Sequence, residues 1–236
     1  MDFEAERANL IEHLSTEIRD ERVLAVMARI PRERFVPPQE QHLAYEDRPL
    51  PIGFDQTISQ PFIIALMTEA LELTGSEKVL EVGTGSGYQA AILAELARFV
   101  ITTERLPALA EGAKRTLDSL GYINIEVHLA EKTLGWQAEA PYDAIIVTAG
   151  APRVPVELLA QLAIGGRLII PVGSRYVQEL YKITKRRRKN VVQQLGGCRF
   201  VPLIGKDAWE EQTNDPEDID YIQQESLFYE DAWEEE

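Results

Sequence analysis

One octet carries most of the chemistry legible in this chain: Glu81-Val82-Gly83-Thr84-Gly85-Ser86-Gly87-Tyr88. Glycines at every second position let the backbone turn tightly and let a ligand approach the main chain closely. Such a loop, set between a strand and a helix, is where an open α/β sheet holds a nucleotide-like ligand. The spacing is G-x-G-x-G. A dinucleotide fingerprint needs glycine or alanine at position 88, and Tyr88 stands there, so a nicotinamide cofactor loses its third requirement. No Gly-Lys-Ser/Thr follows, which removes a Walker loop. The bland alternative is a glycine-rich turn that holds nothing. Glu104 lies 17 residues beyond Gly87, and a carboxylate there can accept both hydrogen bonds of a ribose diol. As the acid just ahead of a helix it could equally serve the helix dipole.

The elements that must position these residues follow from periodicity. Leu10, Leu14 and Ile18 recur every fourth residue, and Val23, Val26, Met27 and Ile30 fit one helical face. Pro31 stops that second helix, and Pro37, Pro38, Pro51 and Gly53 mark an irregular segment. Pro61 opens a further helix expected to end near Gly75. From Lys78 the pattern alternates. Strands are expected at Val79–Val82, Phe99–Thr102, Ile125–Leu129, Ala144–Val147 and Arg167–Ile170, with helices at Tyr88–Ala97, Leu106–Leu120 and Val154–Ala163. Strands joined by helical crossovers make a Rossmann-like α/β fold, a mostly parallel sheet with helices on both faces. Antiparallel strands at Glu179–Thr184 and Val191–Leu195 close it, around Lys185-Arg186-Arg187-Arg188-Lys189-Asn190. That basic run could be a nucleic-acid patch, but charges at a hairpin turn are ordinarily a solvated tip.

Composition narrows the partners. The chain of 236 residues is 45% hydrophobic and 27% charged, which suits a globular protein. No stretch approaches a membrane span. The net charge of -15 is uneven: 13 acids and no Lys or Arg lie in 207–236, leaving 24 basic and 26 acidic residues before it. A near-neutral body argues against nonspecific nucleic-acid binding, which needs net positive charge. One domain is expected over 1–206, with a helical part at 1–77 and a Rossmann-like core at 78–206, followed by an acidic tail at 207–236. A single cysteine, Cys198, and an acidic Met1–Arg7 without a secretory pattern lead to the expectation of a reducing cytoplasm.

Longer strings narrow the chemistry further. Arg34-Phe35-Val36-Pro37, Ala44 to Gly53, Gln56-Thr57-Ile58-Ser59-Gln60-Pro61, Gly83 to Ala91, Ala140 to Ala149 and Gly165-Gly166-Arg167-Leu168, taken with Glu81 to Gly87 and Glu104, resemble the protein-L-isoaspartate O-methyltransferases, a class I methyltransferase family. The resemblance runs from about residue 20 to 205, and Thr57-Ile58-Ser59-Gln60-Pro61 is its most specific part. It implies S-adenosylmethionine as cofactor, and methyl transfer to the free α-carboxylate of L-isoaspartyl residues in damaged peptides and proteins. The ester then closes to a succinimide, whose hydrolysis returns some normal aspartate.

Carried over by position, Ser59 is the active-site serine, its hydroxyl free to donate to one carboxylate oxygen and leave the other facing the methyl group. An N-cap for the helix after Pro61 is its alternative role. The resemblance places cofactor contacts at Ile58, Ser59, Gln60, Glu81, Gly83, Thr84, Gly85, Gly87, Glu104, Arg105, Ala130 and Glu131, and substrate contacts at Ser59, Thr148 and Ala149. No metal is implied, and His13, His42 and His128 fall in no motif. Three features depart from the family: Ala130-Glu131-Lys132 where Gly-Asp-Gly is usual, Asp55 where glycine is common, and the acidic extension. They keep two other functions in view, a methyltransferase for another carboxylate or small molecule, and a non-catalytic adaptor.

Overall fold

Strands whose residues are apolar on both sides demand cover on both faces, and the central strands here meet that demand. The computed structural model describes residues 2–210 and 233–235. In it β3 (Lys78–Val82) lies between β4 (Phe99–Glu104) and β6 (Tyr142–Val147), with β5 (Ile125–Leu129) beyond β4 and β7 (Leu162–Gly173) beyond β6, all five parallel. Strands β8 (Gln178–Thr184) and β9 (Asn190–Cys198) continue the sheet antiparallel, giving the order β9-β8-β7-β6-β3-β4-β5. Alternate residues feed two cores. Val79, Ala144 and Ile146 face the helical layer, whereas Leu80, Val82, Ile145 and Val147 face the opposite side.

Helices α4 (Tyr88–Leu96), α5 (Pro107–Ser119) and α6 (Val156–Gln161) supply three of the crossovers. The chain steps from β3 to β4 on one side and later returns to β6 on the other. Such a reversal opens a crevice at the carboxyl ends of the strands. The N-terminal helices α1 (Phe3–Leu14), α2 (Glu21–Arg29) and α3 (Pro61–Ala70) join the first core through Leu10, Leu14, Val23, Val26, Met27 and Ile64. Asp2 and Asp20 cap α1 and α2 by accepting from the amides of Ala5 and Arg22.

Four features differ from expectation. Residues 50–58, expected to be irregular, form a hairpin of β1 (Leu50–Gly53) and β2 (Gln56–Ile58), register Leu50↔Ile58. Its signal was short: Leu50, Ile52 and Ile58 are buried, and Pro51 between them masks the alternation. Phe54 and Asp55 make its tip, both at φ 55°, and aspartate is among the few residues that visit this region routinely. Helix α3 ends at Ala70 rather than near Gly75, because Glu77 accepts from the amides of Thr74, Gly75 and Ser76 and holds them in a turn. Helix α6 is shorter than expected, and β7 begins already at Leu162.

The fourth difference is at the tail boundary, expected at Asp207. Asp207 pairs with Arg153 at 2.9 Å, Trp209 donates its amide to the Leu203 carbonyl, and the Arg175 guanidinium lies 4.7 Å over the Trp209 ring. The body therefore continues at least through Trp209. A short strand β10 (Trp233–Glu235) pairs with β9 in parallel, and 211–232 and Glu236 lie outside the described residues. In the basic run, Arg186, Arg187 and Arg188 are exposed, whereas Lys185 donates to the Leu159 and Leu162 carbonyls at the end of α6. No described helix is long and apolar enough to cross a membrane.

Candidate functional site

The crevice at the carboxyl ends of β3 to β6 is a cleft, and most of the candidate residues reach it. Its floor is the glycine loop. Gly83 sits at φ 106°, and a Cβ there would fall 2.3 Å from the Thr148 hydroxyl. Thr148 donates that hydroxyl to the Gly83 carbonyl at 2.6 Å, so the loop after β3 is tied to the end of β6. The amides of Gly83 and Thr84 donate to the Thr103 carbonyl at 2.9 and 3.1 Å, tying it to β4 as well.

Two acids lie beneath and beside this loop. Glu81 is fully buried, accepts from Thr102 at 2.5 Å, and leaves its other oxygen, Oε1, without a partner among the described residues. Thr102 also meets the Thr84 hydroxyl at 2.6 Å, which links Glu81 to the glycine loop. Burial pushes the Glu81 carboxyl up to about 8, with the nearby Glu104 charge acting in the same direction. Glu104 closes β4 and spends each oxygen on an amide, Oε2 accepting from Gly85 at 2.9 Å and Oε1 from Leu106 at 3.0 Å. Its position is therefore fixed, and a carboxylate oxygen still has a second lone pair for a ligand hydroxyl.

The facing wall is built by the hairpin and the turn after it. Ile58 and Ser59 line the cleft from this side, and Ser59 is half-buried with no hydrogen bond to its hydroxyl among the described residues. The N-cap of α3 is Gln60, with no capping bond from its side chain. Asp47 serves instead, accepting from the Phe62 amide at 2.8 Å and from the Gln60 side chain at 2.7 Å.

Of the remaining expected residues, Thr84, Gly85, Arg105, Ala130, Glu131 and Ala149 also line the cleft. Glu131 is exposed, and the Ala130 amide donates to the Glu104 carbonyl at 2.8 Å. Lys132, within one of the three departures named above, does not adopt a positive φ, so its side chain brings no backbone strain.

Gly87 and Gln60 are placed elsewhere. Gly87 stands behind the loop at φ 90°, where a Cβ would press on Ala113 and Leu117 of α5 at 3.3 Å, so it serves helix packing. Gln60 turns its amide to Asp47 rather than into the cleft. Thr148 reaches the cleft, but its hydroxyl is spent on the loop.

Sequence reasoning missed three groups. Thr133, Leu134 and Gly135 line one wall, held by Gln161, which accepts from the Trp136 amide and donates to the Leu134 carbonyl, both at 2.8 Å. Val201 to Ile204 line another, joined to the end of β6 by the Gly150 amide on the Val201 carbonyl and the Leu203 amide on the Gly150 carbonyl. Neither stretch has a periodic pattern. Arg32 and Asp47 lie outside the cleft lining; Asp47 falls within the string Ala44 to Gly53, and Arg32 in none of the strings singled out.

Comparison with known proteins gives a consistent picture. The profile of the protein-L-isoaspartate(D-aspartate) O-methyltransferase family matches residues 5–208. A protein-L-isoaspartate O-methyltransferase of Geobacter metallireducens is 52% identical over 212 residues, covering 89% of this chain and 98% of that protein. One from Methanoculleus marisnigri is 55% identical over 193 residues, covering 82% and 88%. Among solved structures, a protein-L-isoaspartate O-methyltransferase superposes with a TM-score of 0.76 at 30% identity, covering 86% of this chain and 67% of the other. A Plasmodium falciparum structure described as the same enzyme in complex with S-adenosyl-L-homocysteine gives 0.72 at 26% identity, covering 83% and 96%.

Proposed function

We propose, from the premise that this chain belongs to the protein-L-isoaspartate(D-aspartate) O-methyltransferase family, that its cleft transfers a methyl group from S-adenosylmethionine to the α-carboxylate of L-isoaspartyl residues. The observation that carries the site assignment is the placement of an uncommitted serine hydroxyl, Ser59, in the same cleft as the glycine loop and Glu104. The test is methyl transfer from labelled S-adenosylmethionine to matched isoaspartyl and aspartyl peptides. Transfer to neither would reject the proposal.

The residues present fit this cofactor. Gly83 leaves the main chain bare where a side chain would collide with Thr148, Glu104 is held rigidly at the end of β4, and the Glu81 Oε1 atom is buried with no donor to meet it. The loop from Gly83 to Gly85 would hold the methionine half, Glu104 the ribose diol, and Ala130 and Glu131 the adenine edge. When bound, S-adenosylmethionine supplies a methyl group on a cationic sulfonium, and transfer to a carboxylate oxygen ends in an ester and a thioether.

Such a reaction joins opposite charges into neutral products, so it gains from alignment and exclusion of water and needs no strong base. The cleft suits it: no His or Lys is among its described lining residues. Ser59 would donate its hydroxyl to one carboxylate oxygen, and Ala149 would flank the acceptor peptide. The partners are isoaspartyl peptides and damaged proteins, with no nucleic acid and no membrane, and the compartment is the cytoplasm. The near-neutral body and lone Cys198 support that reading.

Glu104→Ala should weaken S-adenosylmethionine binding by roughly 1.5 to 3 kcal/mol, the scale of hydrogen bonds to a charged group. Calorimetry reads this directly, and unchanged affinity would remove Glu104 from the ribose site.

Glu81 gives the cleft a pH dependence. Its folded carboxyl titrates near 8, above the ordinary value of 4.5, so the ligand-free protein holds this proton at neutral pH. The associated stability is full below the unfolded value and is lost as pH rises toward 8. A cationic ligand beside Glu81 favours the carboxylate, so S-adenosylmethionine binding at pH 7 should release a proton and tighten as pH rises to 8. Calorimetry in buffers of different ionisation enthalpy measures the release. Glu81→Gln should abolish it, and an unaltered proton count in that variant would place the titrating group elsewhere.

A further inference from the structure

Arg32 is fully buried, yet it has no carboxylate within ion-pair distance among the described residues. Burial pulls its guanidinium down to about 10, so it remains a cation at neutral pH. Two of its nitrogens hold backbone, Nε donating to the Ala44 carbonyl at 2.9 Å and Nη2 to the Ser59 carbonyl at 2.7 Å, while the Tyr88 side chain adjoins the group and Nη1 is buried with no well-formed hydrogen bond among the described residues. The Arg32 Cζ atom lies over the Tyr88 ring, 4.9 Å from its centre, and Phe35 meets the same ring edge-on at 5.4 Å. Tyr88 is the first residue of α4 and directly follows the glycine loop. One side chain thus touches the turn that bears the acceptor-side serine and the residue that anchors the cofactor-side loop.

A buried charge without a paired carboxylate is an expensive way to join segments, and an apolar side chain of the same length would fill the space at lower cost. What the guanidinium adds is direction, through rigid donors and a flat face. Ser59 needs that direction. Among the described residues no hydrogen bond holds its hydroxyl, so its position depends on its own backbone, which Arg32 grips at the carbonyl.

We propose that Arg32 is the positioning residue of this site, setting Ser59 in register with the glycine loop through the Ser59 carbonyl and the face of Tyr88. The inference rests on the assignment of Ser59 to the acceptor carboxylate. It also accounts for Tyr88, the residue that excluded a dinucleotide fingerprint: an aromatic ring at that position gives the guanidinium a surface to lie on.

The test is a double-mutant cycle on the full chain. Arg32→Met should fold, because the sulfur-containing stem fills much of the same volume without a buried charge. Its kcat for an isoaspartyl peptide should fall roughly 10- to 100-fold, the cost of misplacing reacting groups by about an ångström, while S-adenosylhomocysteine affinity measured by calorimetry stays as in the parent. Arg32→Lys, which keeps the charge but gathers the donors on one nitrogen, should recover part of that loss and serves as the readout if the Met variant does not fold. On a Ser59→Ala background the Arg32 substitution should cost nothing further, since a residue that acts only through the hydroxyl has nothing left to position. An equal Arg32 effect on both backgrounds, or normal kcat in the folded Arg32 variants, would overturn the proposal while leaving Ser59 in place. Normal kcat for Ser59→Ala alone would overturn the Ser59 assignment and this proposal with it.

Discussion

An isoaspartyl peptide is expected to be methylated about 100-fold faster than the same peptide carrying aspartate, because small misplacements of reacting atoms cost that much. In the isoaspartyl linkage the chain runs through the side-chain carbonyl. The backbone gains a methylene, and the α-carboxylate projects as a short branch. The cleft has Ser59 on one wall and the segments Thr148 to Ala149 and Val201 to Ile204 on others, so a peptide seated there as proposed would present that branch to the methyl group. Aspartate projects its carboxylate from a differently spaced backbone, and its oxygen misses the line of attack. Initial rates with labelled S-adenosylmethionine on the two peptides measure the ratio. Rigid folded structure around the isoaspartate should slow the reaction, since the backbone on either side must reach into the cleft. Equal rates, or a preference for free small acids, would favour another methyltransferase of the same fold.

Ser59→Ala is expected to lower kcat at least ~10-fold while S-adenosylmethionine still binds, the signature of an interaction that matters chiefly in the transition state. The structure sharpens this expectation. A capping serine would lose ~1 kcal/mol of stability on truncation. Here Gln60 occupies the N-cap position and Asp47 supplies the bond to the Phe62 amide, so Ser59→Ala should leave thermal stability near that of the parent. A turnover defect without a stability defect separates the two roles, and thermal melts alongside steady-state kinetics measure both. Turnover close to the parent's in the folded variant would remove Ser59 from the chemistry.

Much of this protein was legible in its sequence for local reasons. The strand and helix alternation from Lys78 onward follows from apolar periodicity, which is a property of a few consecutive residues. The glycine loop was equally readable, since G-x-G-x-G between a strand and a helix restricts what the backbone can do there. Glu104 was found by its distance from that loop. The hairpin at 50–58 escaped because Pro51 interrupts the one alternation that marks it, and its partner strand contributes a single buried residue, Ile58.

The sequence by itself determined the order of strands and helices from Lys78 onward, the acids near the ends of β3 and β4, and the uneven charge, with 13 acids and no Lys or Arg in 207–236. Tertiary structure decided which residues meet. It placed Gly87 behind the loop against α5, committed the Thr148 hydroxyl to Gly83, turned Gln60 toward Asp47, and brought Arg32 onto Ser59 and Tyr88 from 27 and 56 residues away. None of these contacts has a local signature. A residue's type and spacing state which hydrogen bonds it can make, but the partner it takes depends on how distant segments pack, because a buried polar group accepts whichever partner the fold brings within reach.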